Sequence, residues 1–520
     1  MTRILFATSN GTGLGHLTRA TAIARRLDPA IETLVFTLSE AAGVIAGEGL
    51  AVEYHPSYRR PGSGSDWGWN RRLRARLELL LDEAEPDLIV FDGVHPYRAL
   101  SHVLTRRRGA PPAVWCRRPM WRADAKTASL RRAAAFAAVL EPGELAASVD
   151  RGATVARRRS AYRVGPIVHL RRDELLRRQV AEAELGLEVG GGPTALVSLG
   201  QGGELDQAIA TVLRRLVAVP GLRVVALQSS LSGQLQVPAE VVHLRATFPV
   251  SRYYRAFDLA VAAPGYNAFH ELLAFAVPTL FVPMARQTDD QAARARWAES
   301  EGLAVASDGP TDPALARRLE RLTDPAGRAA IRAALERLPE PSGAAEAAEW
   351  LARLAAGERA DPSTRRRGAF YRWWNLSSHP IGPSLPLSLG QAARDLLAHP
   401  ERRAPRALVI AFGLAADGFA GQLADAVKQL GAEPSRTLVI SDSRDFAALR
   451  QLGVGFERVP GRNEYAGPDW SAFVTRRIGL LLRSRQPRRG VVIGGLEGDE
   501  IATLASYGGV LAKLERPVAS

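Results

Sequence analysis

Short apolar runs rich in β-branched residues alternate along the chain with longer stretches whose apolar positions recur every three or four residues. That alternation predicts parallel sheets covered by helices. Strands are expected at Ile4–Ala7, Thr33–Phe36 and Leu88–Phe91, with helices over Leu17–Leu27 and Arg71–Ala84 between them. A second series follows the glycine-rich turn Gly190-Gly191-Gly192-Pro193. Its strands are expected at Ala195–Leu199, Val224–Gln228, Leu259–Ala262 and Thr279–Val282, and its helices over Glu204–Val217, Ala268–Phe275 and Asp290–Glu301. Tyr162–Ile167 reads as the last strand of the first unit breaking into a linker. Residues 361–405, rich in Pro, Ser and Arg, read as a connector, and a third α/β unit starts near Arg406. The fold class expected is α/β: two doubly wound, Rossmann-like domains at 1–165 and 166–360 facing a cleft, a linker at 361–405, and a third domain at 406–520.

Composition changes this picture little. A chain of 520 residues suits roughly three or four domains, and its 46% apolar and 23% charged residues are ordinary for a soluble globular protein. The formal net charge is +14, yet only Lys126, Lys428 and Lys513 are lysines among 68 basic residues. Such arginine bias reads as codon usage rather than a phosphate-binding patch, so nucleic acid is not an expected partner. The single cysteine, Cys116, excludes an intramolecular disulfide and a multi-cysteine metal site. No apolar run approaches the ~18 residues of a membrane span, and the opening MTRILFATSN lacks the layout of a signal peptide. A reduced, cytoplasmic location is expected.

Two segments carry candidate chemistry. Thr8 to His16 (TSNGTGLGH) joins the first strand to its helix. Glycines there permit a tight turn, and a helix amino terminus favours an anion. The spacing of Gly11, Gly13 and Gly15 does not fit G-x-G-x-x-G, because position 16 is His, and there is no P-loop Gly-Lys-Ser/Thr ending. A histidine titrates near neutrality and suits general-base work, whereas a helix-start residue bonded to backbone is the plainer alternative. Asp92, ending strand Leu88–Phe91, is placed either to orient His16 or to cap the next turn. The second segment is Ala262 to Glu271 (AAPGYNAFHE), followed by Asp290-Gln291. It reads as strand end, glycine turn and helix, whose first-turn amides suit a phosphate. Glu271 lies a turn further on, where a carboxylate accepts from vicinal hydroxyls. Ligands bind at the carboxyl ends of parallel strands, where this cluster is expected. No D-x-D, complete H-E-x-x-H or G-x-S-x-G occurs, and no metal site is expected.

Together these segments resemble nucleotide-sugar glycosyltransferases of the GT-B fold, above all the peptidoglycan N-acetylglucosaminyl transferases and the UDP-glycosyltransferases. Gly13-Leu14-Gly15-His16 resembles their G-x-G-H loop on the acceptor side, and Gly265-Tyr266-Asn267 with Glu271 and Asp290-Gln291 resembles their donor signature. The likeness covers residues 1 to about 357. Ala263 departs from the pattern, standing where plant-type signatures carry a diphosphate-binding histidine. Diphosphate binding would then rest on backbone amides around Gly200 to Gly203, Gly202 included, and around Gly265 to Asn267, with an arginine as a further candidate. The resemblance implies that His16 is the base that activates an acceptor hydroxyl for inverting transfer. It implies that Glu271 holds the ribose, that Asp290 and Gln291 hold the donor sugar, and that Phe248 packs on uracil. The UDP-sugar is substrate, and no cofactor is implied. A nucleotide-sugar hydrolase and a non-catalytic sugar- or lipid-binding scaffold stay open as alternatives.

The first 163 residues hold 25 Lys and Arg against 16 Asp and Glu, an excess that suits a lipid-diphosphate acceptor or an anionic membrane surface contacted peripherally. Solvated helix faces explain any one arginine cluster equally well. Residues 406–510 look like a worn copy of residues 3–108: GLAVEYHP at Gly49 matches GVGFERVP at Gly453, and Asp66-Trp67 matches Asp469-Trp470. Arg71-Arg72 is matched with Arg476-Arg477. In the copy His16 corresponds to Phe419 and Asp92 to Gly494, so the third unit is expected to be non-catalytic, packing beside the first domain or in a homodimer.

Overall fold

The computed structural model describes all residues except 10–13, 59, 201–203, 229–237, 246, 359–397, 466, 497–499, 501–513 and 516–520. Gly13 and Gly202 therefore lie outside the described residues, as does most of the expected connector. Among the described residues, seven strands occur before residue 165: β1 (Arg3–Thr8), β2 (Glu32–Thr37), β3 (Ala51–Tyr54), β4 (Leu88–Asp92), β5 (Ala113–Cys116), β6 (Ala138–Glu141) and β7 (Tyr162–Arg163). Six follow: β8 (Thr194–Ser198), β9 (Arg223–Gln228), β10 (Val241–Arg245), β11 (Leu259–Ala262), β12 (Thr279–Phe281) and β13 (Val305–Ala306). The last five are β14 (Ala407–Phe412), β15 (Thr437–Ser441), β16 (Gly455–Arg458), β17 (Arg489–Gly494) and β18 (Leu514–Glu515). Strands β4 and β14 are buried at every position because helices cover both sheet faces, which is why they read as continuous apolar runs.

The middle segment forms a six-stranded parallel sheet, ordered β10-β9-β8-β11-β12-β13. All other strands share one twelve-stranded sheet, ordered β18-β17-β14-β15-β16-β3-β2-β1-β4-β5-β6-β7. Each part is doubly wound, and strand order reverses between β1 and β4, between β8 and β11, and between β14 and β17. Crevices open at such switch points, outside the carboxyl ends of the strands.

The third unit joins the first edge to edge. Strands β16 and β3 meet antiparallel, with Arg458 opposite Tyr54, whereas every other neighbouring pair is parallel. The two units are related as a quasi-two-fold pair. The Trp69 indole donates to the Pro56 carbonyl at 2.8 Å, and the Trp470 indole donates to the Pro460 carbonyl at 2.9 Å. The helices carrying them, Asp66–Ala84 and Trp470–Arg485, both end on a left-handed residue, Glu85 and Gln486. This register corrects the sequence match: Trp69, not Trp67, is the partner of Trp470, and Arg76 is that of Arg477. Trp67 is solvent-exposed, with the Arg71 guanidinium stacked on it. Across the junction Glu53 accepts from Arg477 at 2.9 Å and forms an ion pair with Arg76, also at 2.9 Å, with all three side chains buried. Burial pushes the Glu53 carboxyl up, but the two guanidiniums outweigh it and hold it below the usual range.

The helix Gly343–Ala355 ends the middle segment but packs on the first unit. Its Ala347, Ala348 and Leu351 sit in the same apolar cluster as Ile4, Ile23 and Val90. A side chain at Gly343 would put its Cβ 2.0 Å from the Gly165 carbonyl oxygen, so glycine is what allows this backbone approach. Trp350 lies flat on Tyr162, with ring centroids 4.3 Å apart. Among the described residues no helix is long and apolar enough to cross a membrane.

Candidate active site

The switch points of the first and middle sheets face one another. On the first, β1 leads through the glycine loop to the helix Gly15–Ala24, whose first turn carries His16. Asp92 is the last residue of β4, in register with Thr8 of β1. Adjacent strands thus deliver two polar groups to one crevice, and the His16 Nδ1 lies 2.7 Å from Asp92 Oδ1. With Nδ1–H donated to the carboxylate, Nε2 on the opposite ring edge is the free lone pair. Burial lowers the His16 pKa, outweighing the attraction of Asp92, so the imidazole is neutral at neutral pH. Asp92 is also buried, which alone would raise its pKa, but Arg19 and His16 hold it ionised.

Arg19 is one group the sequence reading missed. It stands one helical turn after His16, on the same face, a spacing that could have flagged it. Its Nε donates to Asp92 Oδ2 at 3.0 Å, and its Nη2 lies 2.5 Å from Asp92 Oδ1 and 2.9 Å from His16 Nδ1.

On the facing side, β11 turns at Gly265 into the helix Tyr266–Ala274. The first amides of that helix have no intrahelical acceptor and carry the positive end of its dipole. Asn267 sits in this first turn and donates from Nδ2 to the Gly15 carbonyl at 3.2 Å. Its Oδ1 lies 3.4 Å from Arg19 Nη1, and the Arg19 guanidinium stacks 5.1 Å from the Tyr266 ring centre. Tyr266 also reaches the first unit, donating from its hydroxyl to the Gly143 carbonyl at 2.8 Å. Gly200, just past β8, has φ +84°, a conformation that favours glycine.

Glu271 is buried one turn along the Tyr266–Ala274 helix and accepts from the His169 amide at 3.3 Å. Burial pushes its carboxyl up to about 7, opposed only by that amide. The buried His169 ring, which packs 5.0 Å from Phe248, is held down to about 4, by burial first and by Arg25 next. Phe248 is half-buried, at a cis bond to Pro249. His169 lies just past the Gly165-Pro166 turn, and no motif marked it.

Asp290 and Gln291 open the helix Gln291–Ser300. The Asp290 carboxylate caps it, accepting from the Ala293 amide at 3.1 Å. The buried Gln291 side chain accepts from the Met284 amide at 2.9 Å and donates to Asp289 at 3.2 Å. The neighbouring Asp289, passed over in the sequence reading, is the residue that meets the first unit, pairing with Arg118 at 3.2 Å and with Arg294 at 3.3 Å. Arg294 in turn donates to Glu144 at 2.9 Å and to the Pro264 carbonyl at 2.8 Å. Backbone bonds reinforce the contact: Asp290 donates to Met120 at 2.9 Å and Arg122 to Thr288 at 2.8 Å. The structure therefore gathers His16, Asp92, Gly15 and Asn267 at one point. Glu271 and Phe248 lie together at a second, beside His169, and Asp290 and Gln291 at a third, beside Arg118 and Arg294.

No family model matches the chain, and no curated protein matches it. Among solved structures, the chain is similar to the spinosyn forosaminyltransferase SpnP, at 15% identity and TM-score 0.47, over 68% of this chain and 99% of that one. It is similar to the calicheamicin glycosyltransferase CalG4 at 18% identity and TM-score 0.45, over 69% and 100%. It is also similar to the glycosyltransferase SnogD from Streptomyces nogalater, at 19% identity and TM-score 0.44, over 68% and 99%.

Proposed function

We propose that the chain is an inverting, metal-independent glycosyltransferase that moves a sugar from a nucleotide donor, a UDP-sugar, to a hydroxyl acceptor. The observation that carries this reading is the His16–Asp92 pair on one switch point, facing the amino terminus of the Tyr266–Ala274 helix on the other. The acceptor hydroxyl gives its proton to His16 Nε2 while its oxygen attacks the anomeric carbon from the side opposite the diphosphate. The bond from that carbon to the diphosphate oxygen breaks, and configuration inverts. Charge developing on the leaving diphosphate is met by the helix amino terminus, which needs no metal ion to do so. Glu271 takes the ribose hydroxyls, Phe248 packs on the base, and Asp290 and Gln291 face the sugar. The arginine-rich first unit suits an anionic acceptor, lipid-linked or a natural-product or cell-envelope glycan, and a peripheral membrane contact.

The test is UDP release from UDP-sugars by the purified protein in chelator, with and without hydroxyl acceptors. Acceptor-dependent release supports transfer. Equal release with water alone replaces transfer by hydrolysis. UDP binding that calorimetry detects only after magnesium or manganese is added overturns metal independence.

A further inference from the structure

The geometry points to Arg19 as a positioning residue that fixes the His16–Asp92 pair and ties it to the donor-side helix. This rests on the reading of His16 as the base. Arg19 grips both oxygens of Asp92, through Nε at 3.0 Å and Nη2 at 2.5 Å, so the carboxylate plane is set by a two-point fork. The carboxylate oxygen shared with Nη2 is the one that holds His16. The remaining nitrogen, Nη1, reaches Asn267 across the cleft, and the guanidinium lies on Tyr266. One side chain thus touches the base, the group that orients it, and the helix expected to receive the leaving diphosphate. The same guanidinium that holds the pair within the first unit thus also contacts the donor-side helix.

The fork also changes the chemistry of the pair. A carboxylate alone beside an imidazole raises its basicity. Here the guanidinium matches the Asp92 charge and stands 2.9 Å from His16 Nδ1, opposing an imidazolium. Asp92 from β4, Arg19 from its own helix and Arg118 from the segment after β5 act on His16. Cys116, Tyr97 and Tyr266 face Asp92 or Arg19, and burial pushes the pKa of all three up, so they stay neutral. Burial is the first cause that lowers the His16 pKa, and the Arg19 guanidinium adds to it by offsetting the Asp92 charge.

Two variants separate charge from geometry. Arg19→Met removes both, while Arg19→Lys keeps the charge without the fork. Two readouts are followed in the full chain: the imidazole titration of His16 by NMR, and the pH profile of kcat and KM for UDP release. In the native protein His16 should titrate below 6.5. In Arg19→Met its titration and the acid limb of kcat should move up together by about one pH unit. kcat should drop roughly tenfold or more, with KM for the UDP-sugar held within about twofold. Arg19→Lys should restore the titration but not kcat.

Native His16 titrating above 6.5 overturns the proposal, and so does a titration unmoved in Arg19→Met, a loss confined to KM, or full recovery of kcat in Arg19→Lys. If Arg19→Met does not fold, the Lys variant and the native titration still decide. Turnover that survives His16→Ala sinks the transferase mechanism instead, a result the NMR titration does not depend on.

Discussion

The crevice between β1 and β4 and the crevice between β14 and β17 are built on one plan and hold different groups. In the first, Thr8 stands opposite Asp92; in the second, Phe412 stands opposite Gly494. The first helix begins at Gly15 and places His16 in its first turn, while its counterpart begins at Phe419, which is buried. Gly494 has φ +84°, and a Cβ there would lie 2.1 Å from the Phe412 carbonyl oxygen. An aspartate cannot replace it without moving the strand. The strands carry the fold in both units, whereas the chemistry depends on two positions at the switch point. In the third unit one of those positions is a buried phenylalanine and the other an exposed glycine.

The largest expected effect lies where the two units join, at β3 and β16. Glu53→Ala removes the carboxylate that binds Arg76 and Arg477 and leaves both buried guanidiniums short of a partner. Denaturant unfolding should show a loss of about 3–5 kcal/mol. A loss below 1 kcal/mol would mean that other contacts hold the junction, among them Arg458 to the Val52 carbonyl and Arg485 to the Gly62 carbonyl.

Next in size is His16→Ala, expected to cut turnover by about 100-fold or more while UDP affinity stays near native. Near-native turnover would leave His16 as a helix-start residue. Glu271 gives a smaller and pH-dependent effect. Ribose hydroxyls donate to the ionised carboxylate, whose pKa in the free protein is about 7. UDP affinity should therefore be full above pH 7 and fall by up to about tenfold per unit as pH drops below it, read by calorimetry. A flat profile between pH 6 and 8 removes Glu271 from the nucleotide site.

The finest test addresses the quasi-symmetry. Trp69→Phe and Trp470→Phe each delete one buried hydrogen bond to a proline carbonyl and should cost about 0.5–1.5 kcal/mol apiece. Markedly unequal losses would argue against equivalent roles. At the low end, Asp442→Asn in the third unit should leave turnover unchanged, because Asp442 accepts from the Gly413 amide within that unit, away from the His16–Asp92 crevice.

Much of this contrast was legible in the sequence, and the rest was not, for physical reasons. Buried parallel strands such as β1, β4 and β14 announce themselves because both faces are covered. The four-residue strands β3, β5 and β6 are too short for a period to emerge, whereas β11, equally short, is marked by the glycine turn and helix that follow it. His16 and Asp92 could be paired because each ends a strand or opens a helix at the same sheet edge. The partners that cross the cleft, Arg118, Asp289 and Arg294, depend on how the two sheets dock, which no local pattern encodes. The repeated Asp-Trp dipeptide was misleading for a related reason. A dipeptide match is blind to which indole points inward: Trp69 and Trp470 each reach a proline carbonyl, whereas Trp67 is exposed.

The antiparallel meeting of β3 and β16 has a consequence for how the chain is made. Tyr54 emerges from the ribosome long before its partner Arg458. At synthesis rates of about 5–20 residues per second, that delay lasts roughly 20–80 s. Throughout it, the nascent first unit presents an open strand edge, the kind of template that recruits other chains. Glu53, whose side chain lies in that edge strand, then has Arg76 alone as its charged partner, and this ion pair on the edge is a deterrent to foreign strands. When β16 arrives with Arg477 following it, the same carboxylate becomes the anchor. One residue thus guards the edge during synthesis and seals it afterwards.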